Sequence, residues 1–523
     1  MTQDPLIHPT FGARPRPRFR LMALATTLLA QAVLAQAVLA QAVLAQAALA
    51  EPASASPSAS APAAQGVVDA PCPAGAVAVA PGDPIQAAVD RAGENANFCL
   101  KNGLHRLQLV RPQQGQSFYG EGKTVLNGSR VLTAFSREGS FWVASGQTQH
   151  GQQHGECLPD SPACDRPEGV FIDDAPLSQV LSKDQVAPGR FYLDYAENKL
   201  YLADDPTGHK VEATVDAFAF ESLASNVLIK NLIIEKYASV AQKGAIQGIG
   251  PTGWIVENSE LRLNSGAAIG VGTGGRVRNS DLHHNGQSGI AGTGKDIQVE
   301  NTKIWANNIY GFDPGWQAGG LKLALADGVV LRGNHVYDNI GPGLWCDIDC
   351  RNVLYEGNVV ERNHQGAGIF HEISYTAVIR DNVVSYNGIG TSWFWDTNIL
   401  IAASQDVKVY DNTLTVNPGG CGIMLIDQGR PTDRGGRYKT QDNAVYQNAS
   451  TFEGGVCAGG VSDTPPGDEN FSIITDGNNR FDGNVYRVPR ASGDERFPWG
   501  HKVFDWTGLR AAGIEPNGRL ELY

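Results

Sequence analysis

Beyond its first fifty residues this sequence has no cluster of lysine or arginine, and over all 523 residues 41 basic side chains face 54 acidic ones, a formal charge of −13. Phosphate binding needs a basic footprint, so nucleic acid is excluded as a partner. Metal-ligand spacing is missing as well. His283-His284 has no further ligands at suitable spacing, which leaves zinc unsupported. Several Asp residues could bind calcium, yet no compact acidic loop requires it, and no cofactor is expected. No cysteine precedes Cys72, and the full set is Cys72, Cys99, Cys157, Cys164, Cys346, Cys350, Cys421 and Cys457. An even number in an exported chain favours disulfides over metal. The near pairs Cys157/Cys164 and Cys346/Cys350 suggest themselves, and Cys72/Cys99 with Cys421/Cys457 would complete the set, although spacing does not choose among the pairings.

The expectation of export rests on residues 1–50. A basic stretch from Arg14 to Arg20 precedes an apolar, Ala-rich run from Leu21 to Ala50 that ends in the small-residue site Ala48-Leu49-Ala50. Cleavage after Ala50 would release a secreted, extracellular or periplasmic protein with no membrane contact; an uncleaved run would anchor it. Residues 51–67 are Ala, Ser and Pro almost throughout up to Gln65 and form a linker, because so little apolar area cannot offset the entropy of ordering.

Self-similarity dominates the chain beyond this linker. Two polar columns recur five residues apart. One runs Ser259, Ser280, Thr302, Asn334, Asn358, Asn382, Asn412, Asn443; the other runs Asn264, Asn285, Asn307, Asn339, Asn363, Asn387, Asn417, Asn448. Successive members of the second differ by 21, 22, 32, 24, 24, 30 and 31 residues, a short rung with loops added to some copies. Between the columns lie short alternating apolar runs such as Val329-Val330-Leu331 and Val353-Leu354-Tyr355, the pattern of strands and turns. A single rung exposes both edges and half its apolar side chains, whereas stacking rungs about 4.8 Å apart pairs the edges and buries one continuous core. Asn suits the bends because it tolerates left-handed backbone, and stacked amides can hydrogen-bond along the axis. The helical spacing of Pro84 to Ala92, with Asp83 as N-cap, predicts a cap over the first rung.

On these rungs, on the Ile85-Gln86-Ala87-Ala88-Val89 cap and on the first rung Phe118-Tyr119-Gly120-Glu121-Gly122, the chain resembles the right-handed parallel β-helix repeat proteins of the pectate-lyase-like superfamily. Gly343-Leu344-Trp345-Cys346-Asp347-Ile348-Asp349-Cys350 and Gly368-Ile369-Phe370-His371-Glu372-Ile373-Ser374 resemble a signature of one secreted bacterial subgroup. The resemblance implies an all-β solenoid and says little of activity, since this architecture hosts lyases, hydrolases, epimerases and non-catalytic fibres. The expected organisation is a cap with first rungs over 68–131, a β-rich insertion over 132–220, the main right-handed β-helix over 221–480, and a C-terminal cap over 481–523, in a monomer. Polygalacturonases share the fold, but their Gly-His-Gly and Arg-Ile-Lys are missing here. The calcium cluster and Arg base of pectate lyases are not evident either.

Rung phase then locates chemistry. Aligning Leu321, Leu344, Ile369, Ile399 and Ile423 as one inward column places Leu323, Cys346, His371, Ile401 and Leu425 in the next. The outward columns read Lys322, Trp345, Phe370, Leu400, Met424, then Ala324, Asp347, Glu372, Ala402, Ile426. Asp347 and Glu372 thus stack one rung apart, near the roughly 5 to 5.5 Å carboxyl separation of retaining glycosidases, and one of two such carboxyls should keep its proton near neutral pH. Asp349 should point the same way and could widen the spacing. Loops bearing Asp313 and Trp316, and Trp393 and Trp395, flank this pair; with Trp345 and Phe370 they would wall a groove for a sugar chain. Lys322 could meet a substrate carboxylate or serve as a lyase base. The expected partner is a polysaccharide or oligosaccharide, and the expected activity is glycoside hydrolysis at Asp347 and Glu372. The alternatives are a lyase or epimerase on a uronate polymer and a non-catalytic glycan-binding or structural β-helix.

Overall fold

A computed structural model describes residues 66–433, 435–464, 470–490 and 495–523. The expected export segment and nearly all of the expected 51–67 linker lie outside the described residues. Short parallel strands pair residue for residue with the rung before and the rung after: Leu321 lies beside Leu344, Leu344 beside Ile369, Ile369 beside Ile399, and Ile399 beside Ile423. Two long sheets result, of 25 and 13 strands, and the body of the chain is a right-handed parallel β-helix. Inward side chains such as Leu323, Leu331, Val336, Val360 and Ile379 form one continuous core, because stacked rungs turn the same strand positions inward. Outward Arg332, Glu356 and Arg380 pair in sequence along three rungs.

At the N-terminal end the helix Ile85–Ala92 buries Ile85, Ala88 and Val89 over the first rung. Asp83 is not its cap: Pro84 holds that position, and the Asp83 carboxylate accepts from the Ala80 amide at 3.1 Å. The coil then passes beneath a long excursion. Ser117–Gly120 pairs with Leu228–Lys230, and Thr124–Asn127 pairs with Ile233–Glu235, as though nothing lay between them. The excursion forms a four-stranded and a five-stranded sheet, largely antiparallel, around its own core of Val170, Phe191, Leu200 and Val211.

Asparagine ladders mark the bends. Each side-chain amide donates to the amide oxygen of the next rung, as from Asn339 to Asn363 and Asn363 to Asn387, both at 2.8 Å. Buried amides satisfied in this way avoid the cost of an unpaired polar group and add a net stabilisation of about 1 kcal/mol per bond. Three members, Asn417, Asn443 and Asn448, differ from the sequence pattern. Asn387 donates to Asn398 at 3.0 Å, so Asn398 and not Asn417 extends the second ladder. The first ladder runs from Asn412 to Asn448 and Asn484 and ends on Glu515, while Asn443 joins Asn479 at another corner. The reason lies one residue before the inward column, at Gly320, Gly343, Gly368 and Asn398. The glycines pass so close to the ladder that a Cβ at Gly368 would lie 2.6 Å from Asn387 Nδ2. Where the column changes to Asn398, its side chain fills that space and becomes the rung's ladder member.

The same crowding makes a prediction. A Cβ at Gly343 would lie 2.6 Å from the Gly368 carbonyl oxygen and 2.8 Å from Val360 Cγ1. Gly343→Ala should therefore destabilise the protein by about 1–3 kcal/mol, read as a lower midpoint in denaturant unfolding with the m-value unchanged.

The coil also runs further than the expected boundary at 480. Arg480–Asp482 pairs with Ala444–Tyr446, Val485–Val488 with Ala449–Phe452, and Arg519–Leu522 with Val485–Val488. The rung pattern is obscured there because the strands Glu495–Trp499 and Lys502–Phe504 and the closing helix Trp506–Ala511 come between Val485–Val488 and its partner strand Arg519–Leu522. Four disulfides join Cys72 to Cys99, Cys157 to Cys164, Cys346 to Cys350, and Cys421 to Cys457. Among the described residues no helix is long and apolar enough to cross a membrane.

Candidate active site

Three adjacent strands, Gly319–Arg332, Leu344–Asp347 and Ile369–Glu372, bring the outward side chains together on the 25-stranded sheet. Lys322 lies beside Trp345 and Trp345 beside Phe370, while Ala324 lies beside Asp347 and Glu372 beside Ala402. Lys322 Nζ sits 2.8 Å from Asp347 Oδ2 and 3.5 Å above the Trp345 ring centre, and also donates to the Trp316 carbonyl at 2.8 Å. Its ammonium is thus held by an ion pair, a cation–π contact and a hydrogen bond, all of which gain strength from burial.

Glu372 is met from a loop two rungs on. Gln428 Nε2 donates to Glu372 Oε1 at 2.9 Å, and the Arg430 guanidinium reaches the same oxygen at 3.3 Å. Burial, and then the nearby Asp347 charge, push the Glu372 carboxyl up to about 7, against the opposing pull of Arg430, Gln428 and Lys322. The two acids therefore differ in setting: burial favours a proton on Glu372, and Asp347 is paired with Lys322. His371 has its side chain in the core, where burial lowers it to about 4. Its Nε2–H donates to the Tyr375 carbonyl at 2.6 Å, which leaves Nδ1 to accept from the Tyr355 hydroxyl at 3.3 Å.

Several expected positions differ. Trp345 and Phe370 stack with ring centres 5.2 Å apart, but they are 2% and 8% exposed and pack into a second apolar cluster with Leu400 and Met424. They are a covered floor and not the walls of an open groove, because the loop before Thr397 folds back over them. Its Trp395 packs edge-on to Phe370 and donates to Asp463 Oδ2 at 3.0 Å, whereas Trp393 stays 48% exposed. Asp313 caps the short helix Pro314–Gln317 through the Gly315 amide at 2.7 Å. The Trp316 ring stacks on Phe312 and meets His154 of the excursion, so only its carbonyl touches the site. Asp349 does not follow strand alternation. Ile348 and Asp349 adopt left-handed backbone, with φ of 47° and 57°, and Asp349 Oδ1 accepts from the Tyr438 hydroxyl at 3.0 Å.

Gln428, Arg430 and Tyr438 escaped sequence reasoning. All three stand on one strap that follows Asp427, where Arg430, Arg434, Arg437 and Lys439 are interspersed with Pro431, Asp433 and two glycines and form no contiguous cluster, so the charge reading passed over them. Among the described residues the cluster of three potential metal ligands is Cys72, Cys99 and Glu121, whose two sulfurs are joined to each other.

A family model described as "Right handed beta helix region" matches residues 244–400. The match and the coordinates agree on a right-handed parallel β-helix. A structure described as "The complex structure of XylC with xylose" shares the β-helix with a TM-score of 0.60 at 14% identity, over 84% of this chain and 82% of that one. The Azotobacter vinelandii mannuronan C-5 epimerase AlgE6 A-module aligns with a TM-score of 0.49 at 14% identity, over 84% and 94% of the two chains. No curated protein matches the β-helix in sequence.

Proposed function

We propose that this protein is a secreted glycoside hydrolase that cleaves a polysaccharide or oligosaccharide with retention at the anomeric carbon. The observation that carries the reading is the division of roles between two carboxyls on adjacent rungs: Glu372 keeps its proton to about 7, and Asp347 is paired with Lys322 at 2.8 Å. Glu372 donates its proton to the glycosidic oxygen while an Asp347 oxygen attacks the anomeric carbon, the bond to the leaving group breaks, and a glycosyl ester forms. Glu372, now ionised beside Arg430 and Gln428, takes a proton from water, whose oxygen displaces Asp347 and restores both groups. That a structure sharing this fold is described with bound xylose supports a sugar as the substrate class. The four disulfides support an oxidising destination. Lys322 is bonded to Asp347 and Trp316, which argues against a free lyase base.

The test is digestion of a polysaccharide panel with product analysis. New reducing ends of retained configuration, without the ultraviolet absorbance of an unsaturated uronate, are expected; unsaturated products, or binding without cleavage, would reject hydrolysis. A second expectation concerns pH. Activity requires protonated Glu372 and should decline as pH rises through about 7. Arg430→Ala removes a cation that favours the ionised form, so the alkaline limb of kcat/KM should move to higher pH. An unmoved limb would assign it to another group.

A further inference from the structure

A cleft of about 420 Å³ opens on the other long sheet, where the excursion leans over five consecutive strands of the coil between Gly103 and His283. Its size falls in the roughly 300–1,000 Å³ range of small-molecule sites. Donors and acceptors alternate around it. Arg262 is bonded to Glu235 at 2.9 Å, and Lys210, from the excursion, to Asp174 at 2.8 Å. Leu104, 42% exposed, and Leu263 supply aliphatic surface between these pairs.

One acceptor is prepared by a relay. His283 Nε2–H donates to Glu260 Oε1 at 3.3 Å, which leaves His283 Nδ1 to accept from His284 Nδ1–H at 2.8 Å when both rings are neutral. Nε2 of His284 then carries a lone pair on a ring that lines the cleft, and no protein group bonds it among the described residues. Trp305 packs edge-on to the His284 ring and is itself fixed by Asp281 at 2.7 Å. Burial lowers the His284 proton affinity, in keeping with the neutral ring.

We propose that this cleft is an ancillary saccharide-binding site, separate from the candidate active site and built at the seam between excursion and coil, that holds a neutral sugar chain. Charge selects the ligand class. A phosphate or sulfate would meet the Asp174 and Glu235 oxygens, and a cation would meet Arg262 and Lys210. A hydroxyl both donates and accepts, and a sugar ring adds C–H faces for Leu104 and Leu263.

The test is affinity electrophoresis of the full chain in gels containing xylan, mixed-linkage β-glucan or galactomannan, with dextran sulfate as the anionic comparison. At least one neutral gel should retard the wild type. His284→Ala should weaken that retardation about tenfold, the equivalent of one good hydrogen bond. Leu104→Glu, on an exposed rim where the fold tolerates it, should do the same with an unchanged melting temperature. Asp347→Asn should be retarded like wild type, which separates this site from the candidate active site whether or not any polysaccharide is cleaved. Absence of retardation in every neutral gel, retardation by dextran sulfate alone, equal retardation of the cleft variants, or its loss in Asp347→Asn would each overturn the proposal.

Discussion

Replacing Glu372 by Gln, or Asp347 by Asn, should reduce kcat on a cleaved polysaccharide on the order of 10⁴-fold or more, because each group carries a bond-making step that water cannot replace. The two variants should part on an activated aryl glycoside. There the leaving group needs no proton, so Glu372→Gln should form the glycosyl ester and stall on its hydrolysis, giving a burst, whereas Asp347→Asn should give none. Two fully active variants would remove the site. Stability offers a check that does not involve substrate. The Glu372 carboxyl is raised in the folded protein, so the fold binds its proton more tightly than the unfolded chain does, and stability falls as pH rises from about 4.5 to about 7 and stays lower above it. Glu372→Gln cannot ionise. It should therefore melt at a higher temperature than wild type at pH 8, with the difference largely gone at pH 5; an equal difference at both would show that the carboxyl is not perturbed.

Glu212→Gln should cost about 3–5 kcal/mol in denaturant unfolding, the scale of breaking one side of a buried ion pair. Glu212, on the excursion strand Val211–Thr214, and Lys236, just past a coil strand, are both fully buried and paired with each other. Arg106 meets the same Glu212 carboxylate at 2.7 Å, and Lys236 also reaches Asp174. The network pins the excursion to the coil, so its loss should also raise proteolytic nicking between residues 129 and 214. Glu212→Leu with Lys236→Met should recover most of the loss, because no charge is then left buried alone. For Glu212, burial acts upward, but the Lys236 and Arg106 bonds outweigh it and hold the carboxyl below its ordinary range. A lowered carboxyl contributes stability above its unfolded pKa and loses it as pH falls through the folded value, so the variant's deficit should shrink below about pH 4. A single-variant cost under about 1 kcal/mol would mean that the network is not what holds the excursion.

The rungs were legible because one residue per coil must repeat its environment. Leu321, Leu344, Ile369 and Ile399 share an inward position, and any slip by one residue would reverse every side chain in a strand. The ladders were legible until Asn398 took the position that spacing assigned to Asn417, a substitution visible only beside the crowded glycines. Strand alternation could say that Trp345 and Phe370 point away from the core. It could not say that another layer covers them, because the covering residues, Phe394 and Trp395, belong to a loop without a period.

What the sequence by itself determined is periodic: the coil, its phase, the neighbouring places of Asp347 and Glu372, and the set of cysteines. Tertiary structure alone decided what is brought to those places from afar. Gln428 and Arg430 lie 56 and 58 residues beyond the Glu372 they contact, and Lys236 lies 62 residues beyond Asp174. Repetition specifies where each rung stands relative to the next because stacked strands share one hydrogen-bonding register. A loop's landing point depends on closing its chain over a particular surface, and no pattern in its own residues encodes that surface.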